Sequence, residues 1–169
     1  MNASISNFEQ ATMVDAPSLE NHYHADHIQL VLQRHFNLTK QALIADQIDI
    51  VARARAVWEA PFALVSHNIM PDPVFNYANH IALELFEMTW SEFTALPSRM
   101  SAEPIHHDER ERLMTDVRKR GFISDYQGIR IAKSGKRFLI ERATVWNIID
   151  PQGKVRGQAA VFDHWTELK

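Results

Sequence analysis

Two amphipathic stretches open the patterned part of the chain. After polar, aperiodic residues 1–20, apolar side chains recur every three or four positions from His24 to Phe36, and again from Gln41 to Glu59. This spacing predicts two helices, each with one apolar face. Pro61 ends the second helix, because proline disfavours helical backbone at the residue before it. We therefore expect a flexible tail over 1–20 and a helical cap over 21–59.

The hydrophobic pattern changes from helical to mixed after the cap. "PFALVSHNI" and "PVFNYAN" predict two short strands around a proline turn, and short helical pieces follow over residues 78–97. A charged stretch from His106 to Arg120 predicts a longer helix, with Gly121 as its C-terminal cap. The last third predicts three strands, "FISDYQGIRIA", "KRFLIERATVWNIID" and "VRGQAAVFDHW", joined by turns as an antiparallel meander.

This order of elements is typical of one α+β domain of the PAS type over residues 60–169. It predicts a five-stranded antiparallel sheet, with short helices that enclose a cavity on one face. The N-terminal cap is expected to cover the other face or to pair with a second subunit. The strand over 138–149 supports burial on both faces. Strict alternation places Phe138, Ile140, Trp146 and Ile148 on one face, and Leu139, Ala143, Val145 and Ile149 on the other.

Three blocks resemble a known family, the MEKHLA domain: "FNYANHIALELFEMT" (75–89), "GFISDYQGIRIAKSGKRFLIERATVWNIID" (121–150) and "AVFDHW" (160–165). The resemblance covers about residues 25–165. It implies a PAS-related module that stands alone in bacteria and ends the plant class III homeodomain–leucine-zipper transcription factors. Because this sequence shows no homeodomain, zipper or lipid-binding segment, the standalone bacterial type is expected. The implied role is signal reception or control of dimerisation, and a role in DNA regulation does not carry over.

Composition narrows the function classes further. The 169 residues carry a formal net charge of −3, which gives no basic stripe for nucleic acid. No apolar run is long enough to cross a bilayer, and no secretory signal opens the chain. Without cysteine the chain has no disulfides, thiolate metal ligands or cysteine nucleophile. We expect a cytoplasmic protein that binds neither nucleic acid nor membranes.

A possible metal motif stands at the start of the cap. His22, His24, Asp26 and His27 spell H-x-H-x-D-H, the spacing that opens the metal site of metallo-β-lactamase-fold hydrolases. In that fold the motif follows a buried strand, whereas here a polar segment precedes it and an amphipathic helix follows. We therefore interpret the histidines as a polar helix face and predict no metal site.

A cavity of the PAS type needs an apolar lining and a few polar groups that orient a ligand. The candidate ligand-binding residues are Phe75, Tyr77, Trp90, Arg99, Tyr126, Arg130, Trp146 and Asn147. Arg99 lies in apolar company, so if buried it needs an anionic ligand or a carboxylate. We favour a structural ion pair with Glu103 or Glu141. The ligand itself is not predicted.

The residue types bear on two cofactors and one class of enzyme. Flavin–cysteine photochemistry is excluded because the chain lacks cysteine, and the cofactor is otherwise unknown. An axial haem ligand could come from His106 or His107, but the acidic residues beside them indicate solvated side chains. An isomerase-type acid/base set is the enzyme alternative, and its candidates are His106, Asp108, Asp125 and Tyr126. We expect no enzymatic activity, and instead a homodimer through the N-terminal helices whose packing responds to a small molecule.

Overall fold

The computed structural model describes residues 15–45, 49–103 and 107–169, with the backbone alone for 107–110. Five α-helices lie in these ranges, and a 3-10 turn at His22–His24 and another at Ser98–Ser101 accompany them. The helices are α1 (Ala25–Thr39), α2 (Ile50–Trp58), α3 (His80–Phe86), α4 (Trp90–Phe93) and α5 (His107–Arg120). The strands are β1 (Ala63–His67), β2 (Phe75–Ala78), β3 (Phe122–Ile131), β4 (Arg137–Ile149), β5 (Val155–Phe162) and β6 (His164–Leu168).

The strands form one antiparallel sheet in the order β2-β1-β5-β4-β3, and β6 also pairs with β4. β5 pairs with β4 over 144–149, and β6 pairs with its other half over 137–141. The predicted last strand therefore divides at Asp163 into two strands that share one edge of β4. The predicted α+β fold, with an antiparallel sheet and helices on both faces, is confirmed.

Each face of the sheet has its own hydrophobic core. The cap, formed by α1 and α2, packs on one face, and the cluster there consists of Ala25, Ile28, Val31, Ala54, Val57, Leu64, Tyr77, Trp90, Trp146, Ile148, Ala159 and Val161. The other face packs against α3 and α4 through Phe75, Ala82, Phe86, Phe93, Phe138, Ile140 and Phe162. A third, small cluster of Val117, Ile123 and Val145 attaches α5 beside it.

The predicted division of β4 into faces is wrong, because the strand is bulged. Arg142 has a φ of 52°, and one extra residue of β4 is accommodated between the pairs Tyr126↔Ala143 and Gly128↔Ile140. A bulge shifts the side-chain alternation by one position. As a result Phe138 and Ile140 belong to the core opposite the cap, whereas Trp146 and Ile148 belong to the core beneath it.

The first predicted helix is confirmed as α1, but the second begins nine residues later than predicted. The backbone over 41–45 is not helical, and residues 46–48 lie outside the described residues. Asp49 accepts a side-chain hydrogen bond from the Val51 amide at 2.9 Å, so it caps the helix at its first turn. The short helical pieces after β2 are confirmed as α3, α4 and the 3-10 turn.

A single buried asparagine joins the cap to the rest of the domain. Asn79 accepts hydrogen bonds from the amides of Leu64 (3.0 Å) and Ala82 (3.3 Å). Its amide group donates to the carbonyls of Val57 (3.0 Å) and Phe62 (2.7 Å). One fully buried side chain therefore binds α2, β1 and the N-terminus of α3 at once.

Candidate functional site

The structure places the H-x-H-x-D-H histidines in different environments. His22 is exposed, whereas His24 is buried and donates through Nε2 to the Asp15 carbonyl at 2.7 Å. The ring of His24 also stacks on Trp90, with 5.3 Å between centroids. Within the described ranges no group of three or more His, Cys, Asp or Glu side chains could hold a metal ion. The expectation of a polar helix face is wrong for His24 and His27, whose side chains turn toward the rest of the domain, whereas His22 is exposed as expected.

Two further histidines of α1 anchor the cap. His27 donates through Nε2 to the Ser66 hydroxyl at 2.9 Å, and Ser66 donates to Asn76 Oδ1 at 2.6 Å. His35 is buried, donates to the Gln41 carbonyl at 3.1 Å, and lies edge-on to Trp146. Burial lowers the pKa of His27 to about 4, and burial also lowers the pKa of His35. Both imidazoles are therefore neutral at pH 7.

The candidate ligand site is a cleft on the opposite face of the sheet. It has a volume of about 910 Å³ and lies among β1, β3, β4, β5, the 3-10 turn Ser98–Ser101 and α5. Phe75, Ile140, Val145 and Phe162 are among its apolar lining residues. Volumes of roughly 300–1,000 Å³ with a mostly apolar wall are typical of small-molecule sites.

Five of the eight predicted ligand-binding residues line this cleft: Phe75, Arg99, Tyr126, Arg130 and Asn147. The other three, Tyr77, Trp90 and Trp146, belong to the core beneath the cap. Phe75 and Tyr77 lie on opposite faces of the sheet because β2 has one extra residue relative to β1, between the pairs Ser66↔Tyr77 and His67↔Phe75. Trp146 and Asn147 are adjacent on β4, so their side chains point to opposite faces of the sheet. The Trp146 indole donates a hydrogen bond to the Val31 carbonyl of α1 at 3.3 Å.

Arg99 is more exposed, and has a different partner, than the sequence suggested. Its side chain is 67% exposed, and Nε lies 3.0 Å from Asp72 Oδ1 at the rim of the cleft. Glu103, one of the two predicted partners, pairs with Arg137 instead. Arg99 therefore needs no ligand to satisfy its charge.

Polar side chains converge on the floor and side of the cleft. Gln158 of β5 donates to Asn147 Oδ1 of β4 at 3.3 Å, and both residues are half-buried. On β3, Arg130 donates through Nη2 to the Tyr126 hydroxyl at 3.2 Å and through Nη1 to the Ile129 carbonyl at 3.1 Å. These groups can orient a bound molecule by hydrogen bonds.

Sequence reasoning missed several further polar residues of the lining, among them His67, Arg118 and Gln158. Gln158 was visible as the one polar residue between Gly157 and the apolar run "AAVF". Arg118 follows Val117 on α5, and only the packing of Val117 beneath the helix shows that this end of α5 borders the cleft. His67 carried no signal, since its place depends on the register of β1 against β5.

The candidate residues for haem binding and acid/base chemistry lie partly outside the described residues. His106 lies outside the described residues, and so do the side chains of His107 and Asp108. Asp125 is exposed, and the Tyr126 hydroxyl accepts the hydrogen bond from Arg130. The haem and isomerase hypotheses therefore remain predictions.

Sequence comparison places most of the chain in one family. The model of the MEKHLA domain matches residues 25–167. The homeobox-leucine zipper protein HOX29 of rice (Oryza sativa subsp. indica) is 28% identical over 119 residues, which are 68% of this chain and 13% of that protein. HOX32 of the same plant is 22% identical over 134 residues, 78% of this chain and 15% of that protein. The chain thus spans about an eighth of the length of these relatives.

Structure comparison identifies the fold. The PAS domain of a protein from Colwellia psychrerythraea superposes with a TM-score of 0.57 at 16% identity, covering 71% of this chain and 98% of that one. The light-state dimer of the fungal blue-light photoreceptor Vivid gives a TM-score of 0.54 at 14% identity, covering 84% and 93%. At these identities the likeness establishes the PAS fold. No helix in the described part of the chain is long and apolar enough to span a membrane.

Proposed function

The chain belongs to the MEKHLA domain family, and from that premise we propose that it is a PAS-type sensory module that binds a small molecule. The observation that carries this proposal is the cleft of about 910 Å³ between the sheet and α5. Its apolar walls would desolvate a ligand, and the Asn147–Gln158 amide pair and Arg130 would orient it. The implied role is recognition of the molecule without chemical conversion.

The response to the ligand is proposed to pass through β1 to the cap. Val65 and His67 line the cleft, and Ser66 between them accepts the hydrogen bond from His27 of α1. A shift of β1 on ligand binding would therefore change the packing of the cap. This arrangement supports a sensor in which cleft occupancy sets the position of α1 and α2.

Native mass spectrometry of gently purified protein, compared with its denatured mass, tests the binding proposal. We expect a small organic molecule to be retained in the native state and lost on denaturation. A protein of equal native and denatured mass, which also fails to bind apolar ring probes, would contradict a role in ligand binding.

We further propose that the module acts as a homodimer of the standalone bacterial type, in the cytoplasm and without nucleic acid or membrane partners. The cap leaves Phe36 46% exposed on α1, and large exposed apolar side chains favour protein contacts. The formal net charge of −3 does not favour binding of nucleic acid, so the proposal includes no nucleic-acid partner.

Light scattering after size exclusion tests the dimer. We expect the full chain to run as a dimer and Phe36→Glu to shift it toward monomer, because burying a new carboxylate in the interface is costly. Val155→Glu is the matched control, since Val155 is 41% exposed and lies at the start of β5, outside the cap. A monomeric full chain, or equal effects of both variants, would refute the dimer through the N-terminal helices.

A further inference from the structure

The charges around the cleft do not balance. Its lining contains two described carboxylates, and each is already paired, Asp72 with Arg99 and Glu103 with Arg137. Two other cations of the lining, Arg118 and Arg130, have no carboxylate partner among the residues that the structure describes. Because guanidinium groups are charged at every physiological pH, the lining holds uncompensated positive charge.

Protein contacts position the Arg130 side chain, but they do not use all of its hydrogen-bond donors. It is half-buried, its guanidinium carbon lies 5.6 Å from the centre of the Tyr126 ring, and its two described hydrogen bonds go to neutral oxygens. A guanidinium has five N–H donors, so three have no described protein acceptor. This geometry keeps the group ready for a two-point contact with an acid group.

The backbone beneath Arg130 is shaped for this arrangement. A Cβ at Gly128 would lie 2.6 Å from the Tyr126 hydroxyl oxygen and 3.1 Å from Arg130 Nη1. The two side chains therefore cross the space that any other residue at 128 would fill. A larger residue at 128 would therefore displace the ends of the Tyr126 and Arg130 side chains.

The rest of the lining is apolar. Phe75, Ile140 and Phe162 are buried in the wall, and Met114 of α5 lies on the lining with 46% of its surface exposed. An inorganic anion would leave these surfaces without a partner, whereas an uncharged apolar molecule would leave Arg130 without one. A molecule with an acid group at one end and an apolar body at the other would satisfy both.

We infer that the cleft binds an amphipathic organic anion, with its acid group on Arg130 and its apolar body against Phe75, Ile140 and Phe162. The inference rests on the proposed function and names the ligand class of that same site. Arg118 on α5 supplies a second cation on the lining.

Two matched fluorescent probes test the inference on the full chain: anilinonaphthalene sulfonate, and phenylnaphthylamine, which has the same rings without the sulfonate. We expect the sulfonate to bind at least about tenfold more tightly, since a charge-assisted hydrogen bond to the half-buried Arg130 is worth that much. Arg130→Gln should abolish this advantage while leaving the affinity for phenylnaphthylamine within about twofold.

Arg55→Gln is the control, because it makes the same change in net charge at an exposed arginine of α2 that pairs with Glu59 and lies outside the lining. It should leave the sulfonate preference unchanged, whereas Arg118→Gln should reduce it. Arg118 is exposed on α5, so its variant reports on charge even if Arg130→Gln unfolds the domain.

The outcomes separate this inference from the proposed function. Equal affinity of the wild type for both probes would overturn the anion class and leave a ligand-binding cleft. Displacement of the sulfonate by inorganic phosphate alone, at the same concentration, would also overturn the amphipathic class. Binding of neither probe would contradict the proposed function itself.

Discussion

At the scale of single residues, His27 makes the stability of the cap depend on pH. Its pKa is lowered to about 4 by burial, against about 6.5 in an unfolded chain. Because the unfolded state then binds a proton more readily, the stability from neutral His27 is present above pH 6.5 and is lost as pH falls toward 4. We expect the free energy of unfolding to drop across that window by about 2–3 kcal/mol, measured by urea denaturation at each pH.

The histidine variants assign this pH dependence to its source. His27→Gln can still donate to Ser66 but cannot titrate, so its stability profile should be flatter between pH 6.5 and 4. His22→Gln is the control at an exposed ring and should keep the wild-type profile. A remaining slope is expected from His24 and His35, whose pKa values are also lowered by burial. Identical profiles for His27→Gln and the wild type would contradict the assignment.

At the scale of elements, Asn79 carries the joint between cap and sheet. Asn79→Ala would leave the carbonyls of Val57 and Phe62 and the amide of Leu64 without their side-chain partner. Each buried polar group left unsatisfied costs about 1–3 kcal/mol, so we expect a loss of at least 3 kcal/mol by urea denaturation. Asn37→Ala is the control, because Asn37 is exposed and its one described side-chain hydrogen bond joins it to Gln33. A loss below about 1 kcal/mol would contradict this role of Asn79.

The local hydrophobic pattern predicted the helices and strands, but it did not predict which strand side chains lie on each face of the sheet. Apolar spacing located α1, the short helices and the strands because each signal lies within a few residues. The bulges at Arg142 and in β2 are set by pairing with neighbouring strands, so alternation in one strand could not reveal them. They account for the misplaced Phe138 and Tyr77. The late start of α2 depends on the Asp49 cap, which competed with an apolar pattern that continued upstream.

The candidate site follows the same division. Of the residues predicted for a cavity from their place in a PAS-like order, Tyr126 and Asn147 line the cleft, although the pairing of β3 with β4 carries register shifts. The burial of these histidines was not predicted, because a neutral imidazole can be buried only where other parts of the chain supply hydrogen-bond acceptors and ring contacts. For His24 these are the Asp15 carbonyl and Trp90, distant in pattern and adjacent in space.

At the scale of the whole molecule, the sheet separates the cleft from the cap, and β1 is in contact with both. Ser66 is buried and bonded to His27, while its neighbours Val65 and His67 line the cleft. We expect anilinonaphthalene sulfonate to slow hydrogen exchange in α1 and α2 as well as at the cleft, since binding in the cleft stabilises the strand on which the cap rests.

Ser66→Ala isolates this path, because it removes the hydroxyl that joins His27 to Asn76 and keeps the side chains of Val65 and His67. The variant should keep probe binding within about threefold and lose at least about half of the slowing in α1. Ser134→Ala removes an exposed hydroxyl bonded to Glu87 and should change neither. Two results would show that the cap receives no signal through β1. Either the probe leaves hydrogen exchange in α1 of the wild type unchanged, or it slows that exchange equally in the wild type and in Ser66→Ala. In that case the dimer contact would have to be controlled from α5, the other element that borders the cleft.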